Sequence, residues 1–343
     1  MQTGKRYNGV WACFVALALI LMFSQTVLAV DDGARAYWKA REGTQGFSFQ
    51  NLRLDLQGTD SQQFAPGQFI YPNADVEANI FVANYVYHTT LFNRPSSFSA
   101  ALAGGNIDAS MNASLPTQYL PPGQAPGFAF NESSSGYADP TVSMVVNLFG
   151  TPPLKANFDL IDYEPTWNVD TAVMLGVPVG EYDNNKLVNF GLNRWFGRVA
   201  LPVTYNFGVF TRGYMKSFEF IPSVWLFEDN DDFMGQKLKN DPMWQLEAHL
   251  TNDFTPSLFG SLDVLYRSGF QSEIDGANVG DELDIGNLGF TLNYQVTDNL
   301  AIRTGFSSNV FGDDDLDNSM IRLQFIYGWH RDNVNIKKLQ GGH

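Results

Sequence analysis

The sequence predicts an all-β protein: a transmembrane antiparallel β-barrel of about 12 strands with an N-terminal signal peptide. Three observations predict it. Apolar and polar residues alternate in one stretch after another, the chain opens with an export leader, and its connections alternate between short and long. The clearest alternation runs from Met320 to Trp329. Ile321, Leu323, Phe325, Tyr327 and Trp329 share one parity; Arg322, Gln324 and Gly328 share the other, with Ile326 as the apolar intruder. A period of two means extended backbone, because successive side chains of a strand face opposite sides. The same dyad recurs at Val169, Thr171, Val173, Leu175 and Val177, at Val142, Met144, Val146 and Leu148, and at Trp244, Leu246, Ala248 and Leu250.

Lys5 and Arg6 begin the leader, Val10 to Phe23 form its apolar core, and Val27-Leu28-Ala29 fits the small-residue cleavage rule with the cut after Ala29. A retained helical anchor is the alternative, since the apolar run is generous. The only cysteine, Cys13, lies inside the leader, so the mature chain forms no disulfide and offers no thiol. The formal charge is −15, and losing Lys5 and Arg6 takes it to −17. Nucleic acid is therefore not an expected partner, because its binders present a basic face. A membrane is not excluded, because the acids cluster at Glu228–Asp232 and Asp313–Asp317. Past residue 30 no apolar run approaches the roughly 20 residues of a spanning helix. A mature chain that crosses lipid must then do so as a closed barrel, which satisfies every backbone group internally. Mean hydropathy of −0.16 is compatible with that, since only alternate strand residues meet lipid.

Twelve strands are expected at 44–57, 75–88, 96–110, 136–149, 166–180, 187–206, 213–228, 241–253, 258–271, 282–296, 299–312 and 318–330. The second, sixth, eighth and tenth connections are short; the first, third, seventh and ninth are longer. Short inner turns and long outer loops give this alternation, and an even strand number puts both chain ends in the periplasm. Only the fourth connection, 150–165, is long on the short side. The expected organisation is a leader at 1–29, a periplasmic segment at 30–43, the barrel at 44–330 and a periplasmic tail at 331–343. Val188, Phe190 and Leu192 occupy the parity opposite to Trp195, Val199, Leu201 and Val203, so a bulge re-aims the sixth strand or its upper part has left the membrane. The third connection, 111–135, holds four prolines with Tyr119, Phe128 and Phe130, and is too apolar for a solvated loop. It either folds into the lumen as a constriction or packs on the rim.

Five segments stand out in order along the chain: Asp32-Gly33-Ala34-Arg35-Ala36-Tyr37-Trp38, Gly136-Tyr137-Ala138-Asp139-Pro140, Pro178-Val179-Gly180-Glu181-Tyr182-Asp183, Asn189-Phe190-Gly191-Leu192-Asn193-Arg194-Trp195 and Tyr266-Arg267-Ser268-Gly269. Together they resemble the outer-membrane family named for the meta pathway of phenol degradation. The resemblance covers most of the mature chain. It implies a barrel that passes aromatic or other hydrophobic compounds, and it brings no catalytic residues with it.

Charge on the lipid face of a barrel costs several kcal/mol near the midplane, so charged residues opposite the apolar parity are expected in the lumen. These are Arg53, Asp55, Asp170, Arg198, Glu219, Glu247, His249, Asp263, Arg267, Arg303 and Arg322. They either line a pore or pair into a lattice that fills a narrow one. Trp167, Trp195, Trp225, Trp244, Trp329, Tyr205 and Tyr327 fall near strand ends, as interface girdles do. The acidic loops read as solvated turns, as a site for a hard cation, or as a surface bridged to lipopolysaccharide by divalent ions. The histidines are too scattered to suggest a metal centre, no His-x-Ser pair suggests a lipase, and no cofactor is implied. About 14 residues separate the leader from the first strand, too few for an autotransporter passenger. The expected task is passive or facilitated entry of small hydrophobic or aromatic solutes. A sealed structural barrel that binds a partner through its acidic loops, or a secreted β-sandwich, are the rivals.

Overall fold

A strand is stable only when neighbours take up its backbone groups, and here the neighbours form a ring. The computed structural model describes residues 31–59, 62–65, 68–114, 127–155, 163–279, 282–312 and 316–330. The expected leader and the 331–343 tail lie outside these residues. Twelve wall strands follow in chain order. The first is Thr44–Thr59, the second Gln68–Leu91 and the third Arg94–Ser114; the fourth is in two pieces, Gly127–Tyr137 and Thr141–Phe149. The fifth is Trp167–Gly176, the sixth again two pieces, Phe196–Ala200 and Val203–Asn206, and the seventh Lys216–Phe227. Met243–Thr255, Leu258–Gly269, Leu283–Gln295, Leu300–Gly312 and Leu316–His330 complete the wall. Every strand is antiparallel to its neighbours. The first closes on the twelfth from Thr44 opposite His330 to Gly58 opposite Leu316. Closure leaves no edge to be satisfied by water, which is what lets strands stand in lipid.

Prolines mark one break in the wall. Pro202 cannot donate, so the sixth strand parts there, and its carbonyl instead accepts the Asp170 N–H at 2.9 Å. Hairpins at one rim are tight. The second and third strands turn through Phe92 and Asn93, both left-handed (φ 49° and 61°), as a two-residue hairpin of matching twist requires. At the other rim the loops carry structure of their own. Asn230–Phe233, Gln236–Asn240, Ser272–Ile274 and Ala277–Val279 form a small second sheet that ties the seventh connection to the ninth.

Outside, Phe47, Phe49, Phe81, Val142, Val173, Leu250, Leu262, Phe290 and Leu323 are exposed as an apolar belt. Inside at that level are polar residues. Towards the loop rim the pattern inverts. Leu52, Leu54, Val76, Ala78, Ile80, Ile107 and Ala109 point inward and are buried, while Arg53, Asp55, Glu77 and Asp108 face out. The wall there stands clear of lipid, so water takes the outer face and the inner face holds an apolar core. Arg53 and Asp55 are thus corrected from lumen to outer wall. They oppose an apolar parity, but that parity is the inward one.

The third connection is corrected too. Its described flanks are strand: Met111 pairs with Phe130 and Ala113 with Phe128, extending the wall, and residues 115–126 lie outside the described residues. Tyr119 lies outside the described residues. The sixth strand begins at Phe196 rather than at 187, and the fifth ends at Gly176 rather than at 180. Residues 177–195 between them fold inward.

Candidate lumen site: an inner plug, a cap and a cavity

The site is the interior of the barrel, and three pieces shape it. The first is residues 31–41, expected in the periplasm but folded up into the lumen. The reason is charge. Its own Asp31, Asp32, Arg35 and Lys39 find opposite charges on the inner wall. Asp32 pairs with Arg198 at 2.7 Å, Lys39 with Asp170 at 2.7 Å and Arg35 with Asp253 at 2.7 Å. Asp31 pairs with Arg322. Hydrogen bonds add direction. The Asp32 N–H donates to Glu247 Oε2 at 2.9 Å and the Arg35 N–H to Glu219 Oε2 at 2.8 Å. Trp38 Nε1 donates to Glu219 Oε1 at 3.0 Å, and the Tyr37 hydroxyl to Asp32 Oδ2 at 2.6 Å. The Arg35 guanidinium lies between the Trp38 and Phe259 rings, 4.1 and 4.0 Å from their centroids. A buried ion pair offsets its desolvation only with such geometry and extra hydrogen bonds.

Charged residues of strands five to nine, eleven and twelve lie on the inner face of the wall. Asp170, Arg198, Glu219, Glu247, His249, Asp263, Arg267 and Arg322 are all buried, and Arg303 is half-buried on the same side. Arg198 bridges Asp32 and Glu247, the latter at 3.0 Å. His249 Nδ1 is 2.8 Å from Asp263 Oδ1, and Arg267 Nε donates to Gln245 Oε1 at 2.8 Å. Trp225, expected in an interface girdle, is buried in this network. Its Nε1 donates to Gln245 Oε1 at 3.2 Å and Arg198 lies over its ring. Of the other girdle aromatics, Trp167 packs on Tyr205 with centroids 4.5 Å apart and Tyr327 on Trp329 at 5.7 Å, all on the exterior near the short-turn rim.

The second piece is residues 177–195, which cap the lumen below the loop rim. Val188 and Phe190 insert among Leu52, Ile80, Ile107 and Met320 and are fully buried. One carboxylate holds the cap. Asp139, in the break of the fourth strand, accepts the Gly180 and Leu192 N–H groups, both at 2.7 Å. Gly180 and Gly191 have to be glycine. A Cβ on Gly180 would lie 2.6 Å from the Asp139 nitrogen, and one on Gly191 would lie 2.7 Å from the Gly180 carbonyl carbon. Asn189 closes the loop on itself, accepting the Asp183 N–H at 2.8 Å and donating to the Lys186 carbonyl at 3.0 Å. Towards solvent, burial pulls the Arg194 guanidinium down to about 10. Hydrogen bonds to Asp229 and Asp231 hold the exposed Lys237 up at about 12, so part of the Glu228–Asp232 cluster is an ion-pair clamp. Residues 313–315 of the other acidic cluster lie outside the described residues.

The third piece is what the first two leave open: a cavity of about 530 Å³. On the side of strands one to five it is lined by small or uncharged residues, among them Ser48, Ser99, Ala101, Ser143, Val145 and Ala172. Opposite stand Tyr37, Trp38 and Lys39 of the plug, and beneath the cap Phe196 and Trp225. It extends from the short-turn rim at Pro95 and Ser96 to the cap level at Leu52 and Ile80. Asp31, Glu247 and His249 also converge, with one ligand atom of each within 4.8 Å of the others. No spacing in the sequence pointed to that group, because Asp31 is over 200 positions from the other two.

Among solved structures the chain is similar to the COG4313 outer membrane channel from Pseudomonas putida F1. The TM-score is 0.64 at 16% identity, over 88% of this chain and 100% of that one. The transport unit of the autotransporter AIDA-I from Escherichia coli is also similar (TM-score 0.48, 12% identity, 90% and 96% covered). So is the translocator domain of NalP from Neisseria meningitidis (0.45, 8%, 91% and 96%). No curated protein matches the chain in sequence. The fold is that of an outer-membrane β-barrel. The family described as putative MetA-pathway of phenol degradation matches residues 59–314, and the chain belongs to that family.

Proposed function

We propose that the protein is a channel of the Gram-negative outer membrane through which small, uncharged, hydrophobic or aromatic solutes enter the cell. One observation carries the reading. A charged plug and an apolar cap fill much of the lumen, and beside them remains a cavity of about 530 Å³ whose wall on strands one to five is mostly small or apolar, with the plug's Asp31, Asp32, Arg35 and Lys39 and the wall's Arg198 and Arg322 facing it. An ion in that space would lose its water without gaining partners, since the wall charges already pair with the plug. A flat apolar solute needs no partners and fits a pocket of this size. The Pseudomonas putida neighbour is described as an outer membrane channel, and the same role is the reading for this chain.

In this reading Asp170, Arg198, Glu219, Glu247 and Arg322 hold the plug, His249, Asp263, Arg267 and Arg303 brace the wall around it, and together they shape the path; they catalyse nothing. Val188 and Phe190 are the gate. Export through a cleaved leader, and divalent bridging of the outer acids to lipopolysaccharide, belong to the same proposal. Liposome uptake tests it. Proteoliposomes should admit a neutral aromatic such as toluene or phenol faster than protein-free liposomes, while showing small ionic conductance in planar bilayers. Large, steady ion conductance, or uptake no faster than in bare liposomes, overturns it.

A further inference from the structure

His249 is buried on the eighth strand, and its two ring nitrogens have different surroundings. Nδ1 faces Asp263 Oδ1 at 2.8 Å, and Asp263 is itself held by the Thr291 hydroxyl at 2.7 Å. A carboxylate on Nδ1 fixes the proton there and turns the lone pair of Nε2 outward, the arrangement found behind metal-bound histidines. Nε2 makes no hydrogen bond, although it is buried. Its neighbour is Glu247 Oε2, 3.6 Å away, beyond hydrogen-bond reach. Two ligand atoms each about 2.0–2.1 Å from a tetrahedral Zn²⁺ stand about 3.3 Å apart. The gap between Nε2 and Oε2 is close to that spacing. Glu247 is oriented from its other oxygen, which accepts Arg198 at 3.0 Å. The Asp31 carboxylate, brought in by the plug and steered by Arg322, completes a set within 4.8 Å.

We propose that Asp31, Glu247 and His249 bind one Zn²⁺ ion, or another divalent ion of similar preference for nitrogen and oxygen, with water in a fourth position. The ion joins the plug to the eighth strand. Asp31 comes from the plug and the other two ligands from the wall, so the site exists only when the plug is seated. Occupancy then sets how firmly the plug is held, whatever solute the lumen conducts.

The test uses full-length folded protein in detergent, stripped with chelator and titrated with Zn²⁺ by calorimetry and by metal analysis after gel filtration. One equivalent should bind. His249→Gln and Asp31→Asn should each weaken binding roughly 100-fold, and Asp263→Asn roughly 10–100-fold, because it withdraws the partner that orients the ligand. His88→Gln should leave it unchanged, since His88 lines the cavity away from these carboxylates. A heat-modifiable gel shift establishes that each variant folds. Should His249→Gln not fold, Co²⁺ added to the wild-type protein should still give the visible absorption of a nitrogen- and oxygen-ligated ion. Failure of the wild-type protein to bind an equivalent, absence of that absorption, or binding that survives His249→Gln overturns the proposal. His249 would then be an imidazolium clamped between Glu247 and Asp263.

Discussion

The two sides of the lumen are built from the same dyad and come out opposite. On strands six to nine the inward positions are long and charged: Arg198, Glu219, Glu247, Asp263, Arg267. Around the cavity, on strands one, three, four and five, they are short: Ser48, Ser99, Ala101, Ser143, Ala172, with Asp170 of the fifth strand the charged exception. Long charged side chains meet the plug and leave no room, whereas short ones leave a cavity. Alternation alone makes a barrel; the size of the inward residue decides whether that side is wall or path.

The largest effect should come from breaking the filled side. Arg198→Ala leaves the buried Glu247 and the part-buried Asp32 without their cation, which costs about 3–5 kcal/mol. The variant should lose its heat-modifiable shift at lower temperature and open frequently in single-channel recordings as the plug comes free. Next comes a pair of neighbours on the fifth strand. Val173 is 42% exposed and faces lipid, so Val173→Arg should cost about 2–4 kcal/mol near the midplane and reduce assembly. Ala172 is only 9% exposed and faces the cavity. Ala172→Arg should assemble and instead slow aromatic uptake in proteoliposomes. Equal assembly defects would break the distinction between the two faces. A smaller effect on assembly is expected at the cap, because the two charge-assisted hydrogen bonds that Asp139→Ala removes, worth about 1.5–3 kcal/mol each, hold the cap and not the wall. Protease cutting within 177–195 should speed up while the barrel stays folded. The smallest concerns the outer wall: Arg53→Ala should shift thermal stability by no more than about 0.5 kcal/mol and leave uptake unchanged.

The strand ring was legible because it is local. Parity, turn residues and connection length all lie within a few positions of one another, and all twelve strands can be read from them. The lumen charges of the lower wall were legible for the same reason. Arg53 and Asp55 were not, because alternation reports two faces without saying which is inside. Where the wall rises above lipid, Leu52 and Leu54 turn inward and the rule reverses. The cap was half visible. Val188 and Phe190 stand on the wrong parity, but the contact that explains them, Asp139 with Gly180 and Leu192, spans about 40 to 50 positions. The plug was invisible, since Asp32 meets Arg198 and Glu247 across 166 and 215 positions. The family-like segments are informative in retrospect. Residues 32–38, 136–140, 178–183, 189–195 and 266–269 are the parts that fold into the interior or secure what does.

The plug's position also dictates an order of construction. Residues 31–41 stand immediately before the first strand, yet their partners lie on strands five, seven, eight and twelve and on the sixth. While the early strands are being laid down, the segment has nothing to bind. Its docking surface is complete only when the later strands are in register, and the first strand to which it is joined pairs with the twelfth. Seating of the plug therefore depends on completion of the wall: a barrel missing its later strands lacks the plug's partners.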